Sequence, residues 1–251
     1  MYRLPEFIEN LQEFTLLTID IFKNISTVKK NYKDAIREMY VIGSQAFLLA
    51  TLGGLFAGVI LAIESGHSLE KFGAVLLVSR TVSYGMIREL GPVVTGLLLA
   101  ARTSAKNTSE IGAMQLSEQI DALKAFGISP VEKLVVPRIV AALVMFLPLT
   151  LVADITGIVF GMLVTKMTFN VDIVYFWTTA IKVLEFKDIF VGTVKPIFFA
   201  FFIASVSCYY GLKTKGGTTD LGKNSISAVV ITTMLVLLID FIFTKVVWEV
   251  M

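Results

Sequence analysis

Apolar runs long enough to cross a bilayer recur along the chain at roughly 41–64, 83–104, 134–165, 190–212 and 224–247, each closed by a charged or glycine- and proline-bearing stretch. A spanning helix needs about 20 mostly apolar residues, so the pattern predicts an all-α membrane protein with about five transmembrane helices. The second run is the least regular, because Arg80, Arg88 and Glu89 crowd one end of it. The third is long and contains Pro148, where the missing amide and the ring's clash with the preceding turn predict a kink. Ahead of these runs, Phe7, Ile8, Leu11, Phe14, Phe22 and Ile25 fall near helical spacing among Glu6, Glu9, Glu13 and Asp20. Such a helix lies in the interface with its apolar side in the acyl chains. Its few positive charges suit a structural elbow supporting the first span. The chain therefore divides into an interfacial segment, 1–40, and a transmembrane domain, 41–251.

Between the second and third runs the pattern changes to a short amphipathic helix over 117–127. Ser117 is expected to cap it and Glu118 to sit at the positive end of its dipole. Ile120, Leu123 and Phe126 would share one face, Gly127 would end the helix and Pro130 would block its continuation. A helix of this kind can dock in a groove of another protein.

Composition supports the membrane reading: 55% of residues are hydrophobic and 17% charged, and mean hydropathy is +0.78. Soluble domains carry about 25% charged residues. The net charge of +2 gives no sign of a nucleic-acid partner, and its distribution is what matters. Segment 1–40 and the stretches after the second and fourth runs hold fourteen lysines and arginines, against four on the opposite side. Positive charge marks the cytoplasmic side, so the N-terminus is expected inside and the C-terminus outside. Pro5, Glu6, Glu9 and Glu13 interrupt what would be the apolar core of a signal peptide. The single cysteine, Cys208, excludes an internal disulfide and is expected to be a small buried hydrophobe.

Charges at membrane depth are costly and therefore suggestive. Arg88 and Glu89 stand before Gly91-Pro92, and they are read either as an interfacial pair with each other or as the polar rim of a cavity. Pro92 is expected to hold the preceding backbone extended or turned, aiming Glu89 inward. Arg102 and Glu110 would flank a turn and pair. Asp154, Lys195 and Asp240 lie in three different runs, and bonding between helices is the preferred account for them, with a proton relay as the alternative. Gly217–Lys223 resembles a phosphate-binding loop, but Asn224 replaces the Ser or Thr that coordinates magnesium and no strand pattern precedes it. A glycine-rich turn explains it better. His67, the only histidine, is placed in an external loop, and neither a His/Cys metal cluster nor a nucleophile–base pair is visible. The chain reads as no enzyme and as holding no cofactor of its own.

Residues 88–138 carry five spaced blocks: Glu89-Leu90-Gly91-Pro92, Ala101-Arg102, Glu110-Ile111-Gly112-Ala113-Met114, Glu118-Gln119-Ile120-Asp121-Ala122-Leu123 and Val136-Pro137-Arg138. Together they resemble the MlaE/YrbE family, the permease subunits of ABC transporters that work with MCE proteins in lipid traffic. Gly211, Thr218, Gly222 and Asp240-Phe241 extend the likeness more weakly. The resemblance implies a homodimeric, multi-pass permease of the bacterial inner membrane. Its expected partners are a cytoplasmic ATPase that binds the ATP and magnesium, a periplasmic MCE-domain (MlaD-like) protein and, in many members, a STAS-domain (MlaB-like) protein. The cargo would be phospholipid or another hydrophobic lipid, moved between the inner membrane and the periplasm or outer membrane. On this reading the 117–127 helix couples to the ATPase through Glu118, Gln119, Asp121, Leu123 and Phe126. Arg88, Glu89, Leu90 and Val93 would contact lipid near the external end of the second run, where two copies meet. Two rivals remain: an ion-coupled secondary transporter, although no inverted repeat is visible, and a non-transporting anchor for an MCE protein.

Overall fold

The apolar runs fold as helices, and no strand occurs among residues 4–250, which the computed structural model of the chain describes. In order these are α1 (Leu4–Asn24), α2 (Tyr32–Glu70), α3 (Val78–Gly85), α4 (Gly91–Leu116), α5 (Gln119–Ala125), α6 (Val136–Phe169), α7 (Ile173–Val183), α8 (Phe186–Leu212) and α9 (Gly217–Val250). π-helical turns at Met86–Leu90 and Val131–Val135 lead directly into α4 and α6. Arg3 and Met251, which entered the charge and topology expectations, lie outside the described residues, as do the side chains of Pro5, Glu6 and Phe7.

Four helical stretches are long and apolar enough to cross a membrane: Tyr32–Glu70, Val131–Phe169, Phe186–Leu212 and Gly217–Val247. The first span begins on a helix already under way at Tyr32, and α6 runs unbroken through Pro148. The expected second span comprises α3, a π turn and α4, and it is not among the four because Arg80, Arg88 and Glu89 at one end and Arg102 and Lys106 at the other lower its hydropathy. The apolar part of α4 gives way at Arg102, and Lys106, Asn107 and Thr108 follow. No turn forms there; the helix continues to Leu116 because its polar residues point inward and are satisfied. Thr103, Ser104, Asn107 and Thr108 are buried. Ser104 bonds Thr232 at 2.9 Å, and both Asn107 and Thr108 donate to Ser207. Cross-helix bonds of this kind contribute about 0.6 kcal/mol each in a membrane protein.

The chain forms two compact units. The first comprises Met1–Ile42, Ala100–Val144 and Ala200–Leu235. Within it α1 packs on the π turn Val131–Val135 and on α8. Phe14 meets Tyr209 edge-on, Phe22 stacks on Phe201, and the Tyr209 hydroxyl donates to Glu13 at 2.9 Å. The opposite side of α1 exposes Ile8, Leu11, Leu16 and Ile19. A four-residue charge cluster ties α2, α4 and α6. Lys106 donates to Glu38 at 2.6 Å and lies 3.6 Å from Glu110, while Arg138 donates to Glu110 at 2.9 Å. The expected pair between Arg102 and Glu110 is thus replaced, because α4 does not turn and carries Glu110 two helical turns past Arg102, toward α6.

The second unit comprises Gly43–Leu99, Met145–Phe199 and Val236–Met251. Here α2 and α6 approach closely through small residues. A methyl group added at Gly58 would lie 2.0 Å from the Gly157 carbonyl oxygen, and one at Gly54 would lie 2.2 Å from that of Ala153. Without a hydrophobic driving force between helices in lipid, such backbone contact is a main source of association. A separate apolar core joins Ala62, Val78, Val82, Met86, Ile158, Phe176 and Ala180, holding α3 and α7 against α2 and α6. Asp172 caps α7 by accepting the Tyr175 amide at 3.1 Å.

Candidate functional site

Pro92 has no amide hydrogen, so in an α-helix the Arg88 carbonyl would lose its donor. The chain does not become extended before Pro92, as the sequence suggests; it winds into the π turn Met86–Leu90, and the Gly91 amide bonds the Met86 carbonyl. The orphaned Arg88 carbonyl accepts instead from Lys195 Nζ at 3.1 Å. A second π turn, Val131–Val135, stands in the same relation to Pro137. Such turns recur at functional sites.

The π turn sends Arg88 and Glu89 to different partners, so they do not pair with each other. Glu89 accepts from Lys195 at 2.6 Å and from Thr244 at 3.2 Å. Lys195 also donates to Thr244 at 3.0 Å and lies 2.8 Å from Asp240. Two carboxylates therefore share one fully buried ammonium. Arg88 instead donates to the Tyr84 hydroxyl and, at 3.1 Å, to Asp188. Gly192 permits this arrangement, since any side chain there would meet the Ile87 carbonyl oxygen at 2.2 Å. Interhelical bonding accounts for Lys195 and Asp240. Asp154 does not join them: its carboxylate rests against Gly91, and buried Oδ1 has no hydrogen-bond partner among the described residues.

Two cavities open beside the π turn. A cavity of 610 Å³ is lined by Leu61, Thr81, Gly85, Glu89 and Leu90, with Arg80 and Tyr84 on its wall. A smaller one, of 270 Å³, is lined by Arg80, Tyr84, Arg88, Lys187 and Asp188 among others. Of the four residues expected to contact lipid, Glu89 and Leu90 line the larger cavity and Arg88 the smaller, while Val93 is half-buried and lines neither. Sequence reasoning missed Tyr84, Asp188 and Thr244. Tyr84 and Thr244 each lie four residues from a charge already singled out, Arg88 and Asp240, and that helical spacing was the available signal.

The other candidate element is α5, shorter than expected. Ser117 does not cap it, since its hydroxyl turns back to the Ala113 carbonyl at 2.8 Å. Glu118 takes the N-cap position with φ 58° and no side-chain bond to the helix. The C-terminus is as expected: Gly127 has φ +72°, and the Ile128 and Gly127 amides bond the Leu123 and Lys124 carbonyls in a Schellman arrangement. Ile120 is buried and Leu123 half-buried, but Phe126 does not share their anchored face and is 82% exposed. Glu118, Gln119 and Asp121 are also exposed, with Asp121 held by Lys124 at 2.9 Å.

Three other expectations resolve simply. Cys208 is fully buried. His67 lies in the last turn of α2 with its ring edge on Phe169, not in a loop. Gly217–Lys223 is the beginning of α9 rather than a turn, because Asp220 reaches back to accept the Lys215 and Gly216 amides and starts the helix.

Residues 35–246 match the family described as Permease MlaE. The chain is 32% identical over 215 residues to a probable ABC transporter permease protein of Rickettsia typhi, covering 86% of this chain and 83% of that one. It is 30% identical over 220 residues to the intermembrane phospholipid transport system permease protein MlaE of Haemophilus influenzae, covering 87% and 84%. A probable ABC transporter permease protein of Synechocystis is 26% identical over 240 residues, covering 96% and 92%.

Proposed function

The chain belongs to the Permease MlaE family, and from that membership we propose that it is the permease subunit of an ATP-driven transporter of phospholipid or another hydrophobic lipid. It is a multi-pass membrane protein of the ABC permease type. The observation that carries the lipid reading is the 610 Å³ cavity, where Leu61 and Leu90 stand beside Glu89 and its buried network. Lipid and drug-sized sites commonly measure about 300–1,000 Å³ and combine apolar walls with a few placed polar groups.

In this proposal Leu61 and Leu90 receive acyl chain while Arg88 and Glu89 form the polar rim, with Val93 farther along the same helix. Two copies of the chain meet around that region in the bacterial inner membrane, N-termini in the cytoplasm and C-termini in the periplasm, with the α3–α4 stretch crossing as a fifth span beside the four long apolar helices. A cytoplasmic ATPase holds ATP and magnesium and docks on α5 through exposed Phe126, Glu118, Gln119 and Asp121, with Leu123 anchoring the helix from behind. An MCE-domain protein receives or delivers lipid on the periplasmic side, and a STAS-domain protein accompanies the ATPase. Closure of the paired subunits on ATP binding moves lipid out of the cavity. The shared proton-binding groups Glu89 and Asp240 are already committed to Lys195, which favours this reading over an ion-coupled carrier.

A photo-crosslinking residue at Leu90 tests the site in the assembled complex. Lipid is expected in the crosslinked product, with less captured when the ATPase is trapped with ATP. Crosslinks to protein alone in both states would place the lipid path elsewhere.

A further inference from the structure

The end of α8 and the side of α1 that packs on it enclose a cavity of 340 Å³, lined by Glu13, Leu17, Tyr209, Leu212, Lys213 and Lys215. It lies wholly within the first compact unit, whereas the π turn Met86–Leu90 and the cavities beside it belong to the second. Helix α8 is long and apolar enough to span the membrane, and Lys213 and Lys215 follow its last residue, Leu212, by one and three positions. Both lysines therefore stand at headgroup depth, while Leu17 and Leu212 give the cavity an apolar wall. Its polar groups are not equally committed. The Tyr209 hydroxyl donates to Glu13 at 2.9 Å, and Lys213 donates to Asn10 and lies 3.8 Å from Glu13. These contacts tie α1 to α8 and occupy the carboxylate that lines the cavity. The Lys215 amide is bound by Asp220, but its ammonium has no ion-pair partner among the described residues. Two lysines against one carboxylate leave one positive charge over. The outer side of α1 exposes Ile8, Leu11, Leu16 and Ile19. A helix of this kind lies among headgroups and upper acyl chains, so what fills a cavity at its inner edge comes from the same layer.

We propose that this cavity holds the headgroup of an anionic phospholipid resident in the leaflet at which α8 ends. Lys215 and Lys213 meet its phosphate, and Leu17 and Leu212 meet its glycerol and upper chains. Basic pockets at the membrane surface of helical bundles bind such headgroups. The lipid is a standing part of the α1–α8 contact and not cargo, so the assignment does not depend on the transport reading. A headgroup with one net negative charge offsets the extra lysine. A zwitterionic headgroup brings its own ammonium and offsets nothing.

The test places a photo-crosslinking residue at Leu17 of the full-length protein, in vesicles of equimolar phosphatidylglycerol and phosphatidylcholine with identical chains. Lipid captured there is expected to be enriched in phosphatidylglycerol about fivefold, the bias that one lysine near a charged lipid surface supports. The same residue at Leu11, on the exposed side of α1, should capture the two lipids in their bulk ratio. Lys215→Gln should remove the enrichment at Leu17, and Lys215→Arg should keep it. The Tyr209 and Lys213 bonds to α1 remain in both variants, which separates recognition from misfolding. An excess of soluble glycerol phosphate should leave capture unchanged. Enrichment that is absent at Leu17, equal at Leu11, or undiminished by Lys215→Gln overturns the site. Displacement by glycerol phosphate overturns its assignment to lipid, and crosslinks to protein alone overturn it as well.

Discussion

The missing amide hydrogen at Pro92 frees the Arg88 carbonyl, and Lys195 takes the donor's place while also holding Glu89, Asp240 and Thr244. Because this ammonium is fully buried, its removal strands two carboxylates. Lys195→Met is therefore expected to destabilise the protein by about 3–5 kcal/mol, the cost of breaking a buried ion pair from one side. Adding Glu89→Gln and Asp240→Asn to the same chain should restore most of that loss. Thermal unfolding in detergent checks both, and equal midpoints for all three proteins would show that the network is not structural. The charges themselves were legible in the sequence, since Glu89, Lys195 and Asp240 stand out in apolar runs. Their pairing was not. Adjacent Arg88 and Glu89 invited a local pair, and only the π turn, which depends on how Gly192 lets α8 approach Ile87, sends them apart.

At the scale of helices, apolar patterning located most elements but misjudged α4. Hydropathy treats Ser104 and Asn107 as the end of a span, whereas Thr232 and Ser207 on other helices satisfy them and let the helix continue. Such partners lie a hundred residues or more away, so no local pattern reveals them. The α2–α6 contact was hidden for a related reason: glycine signals closeness only when the facing residue is known. Gly58→Leu is expected to cost roughly 1–3 kcal/mol or more through overpacking. Gly222→Ala, with no atom within 4 Å of the added methyl, should stabilise α9 by about 0.5–1 kcal/mol. Thermal midpoints of the two variants should move in opposite directions. For α5, the C-terminal signal of Gly127 was readable, but the N-terminal one was not, because Ser117 has a competing bond to its own preceding turn. Phe126, exposed and beside a rigid helix end, is expected to be an anchor for the ATPase. Phe126→Asp should weaken co-purification by at least about 2 kcal/mol, the size typical of an aromatic hot spot, with the permease still folded. Undiminished recovery of the ATPase would remove α5 from the interface.

For the molecule as a whole, family membership and the long apolar helices support a membrane permease, and the uneven placement of lysine and arginine supplies its proposed orientation. A Lys215→Cys label on a Cys208→Ser background tests that orientation. Reaction with an impermeant reagent is expected only after the membrane is opened, and labelling in intact spheroplasts would invert the map. The central claim is that ATP, used by a partner, drives lipid through the site beside Glu89. Its most direct measurement is transfer of labelled phospholipid from proteoliposomes containing this chain with the proposed ATPase and MCE-domain partners. The account predicts transfer that requires ATP hydrolysis, falls with Phe126→Asp through loss of the ATPase, and falls with Glu89→Gln although the complex still assembles, since Asp240 keeps Lys195 paired. Transfer sustained by a proton gradient without ATP, or unchanged in the Glu89→Gln complex, would contradict it.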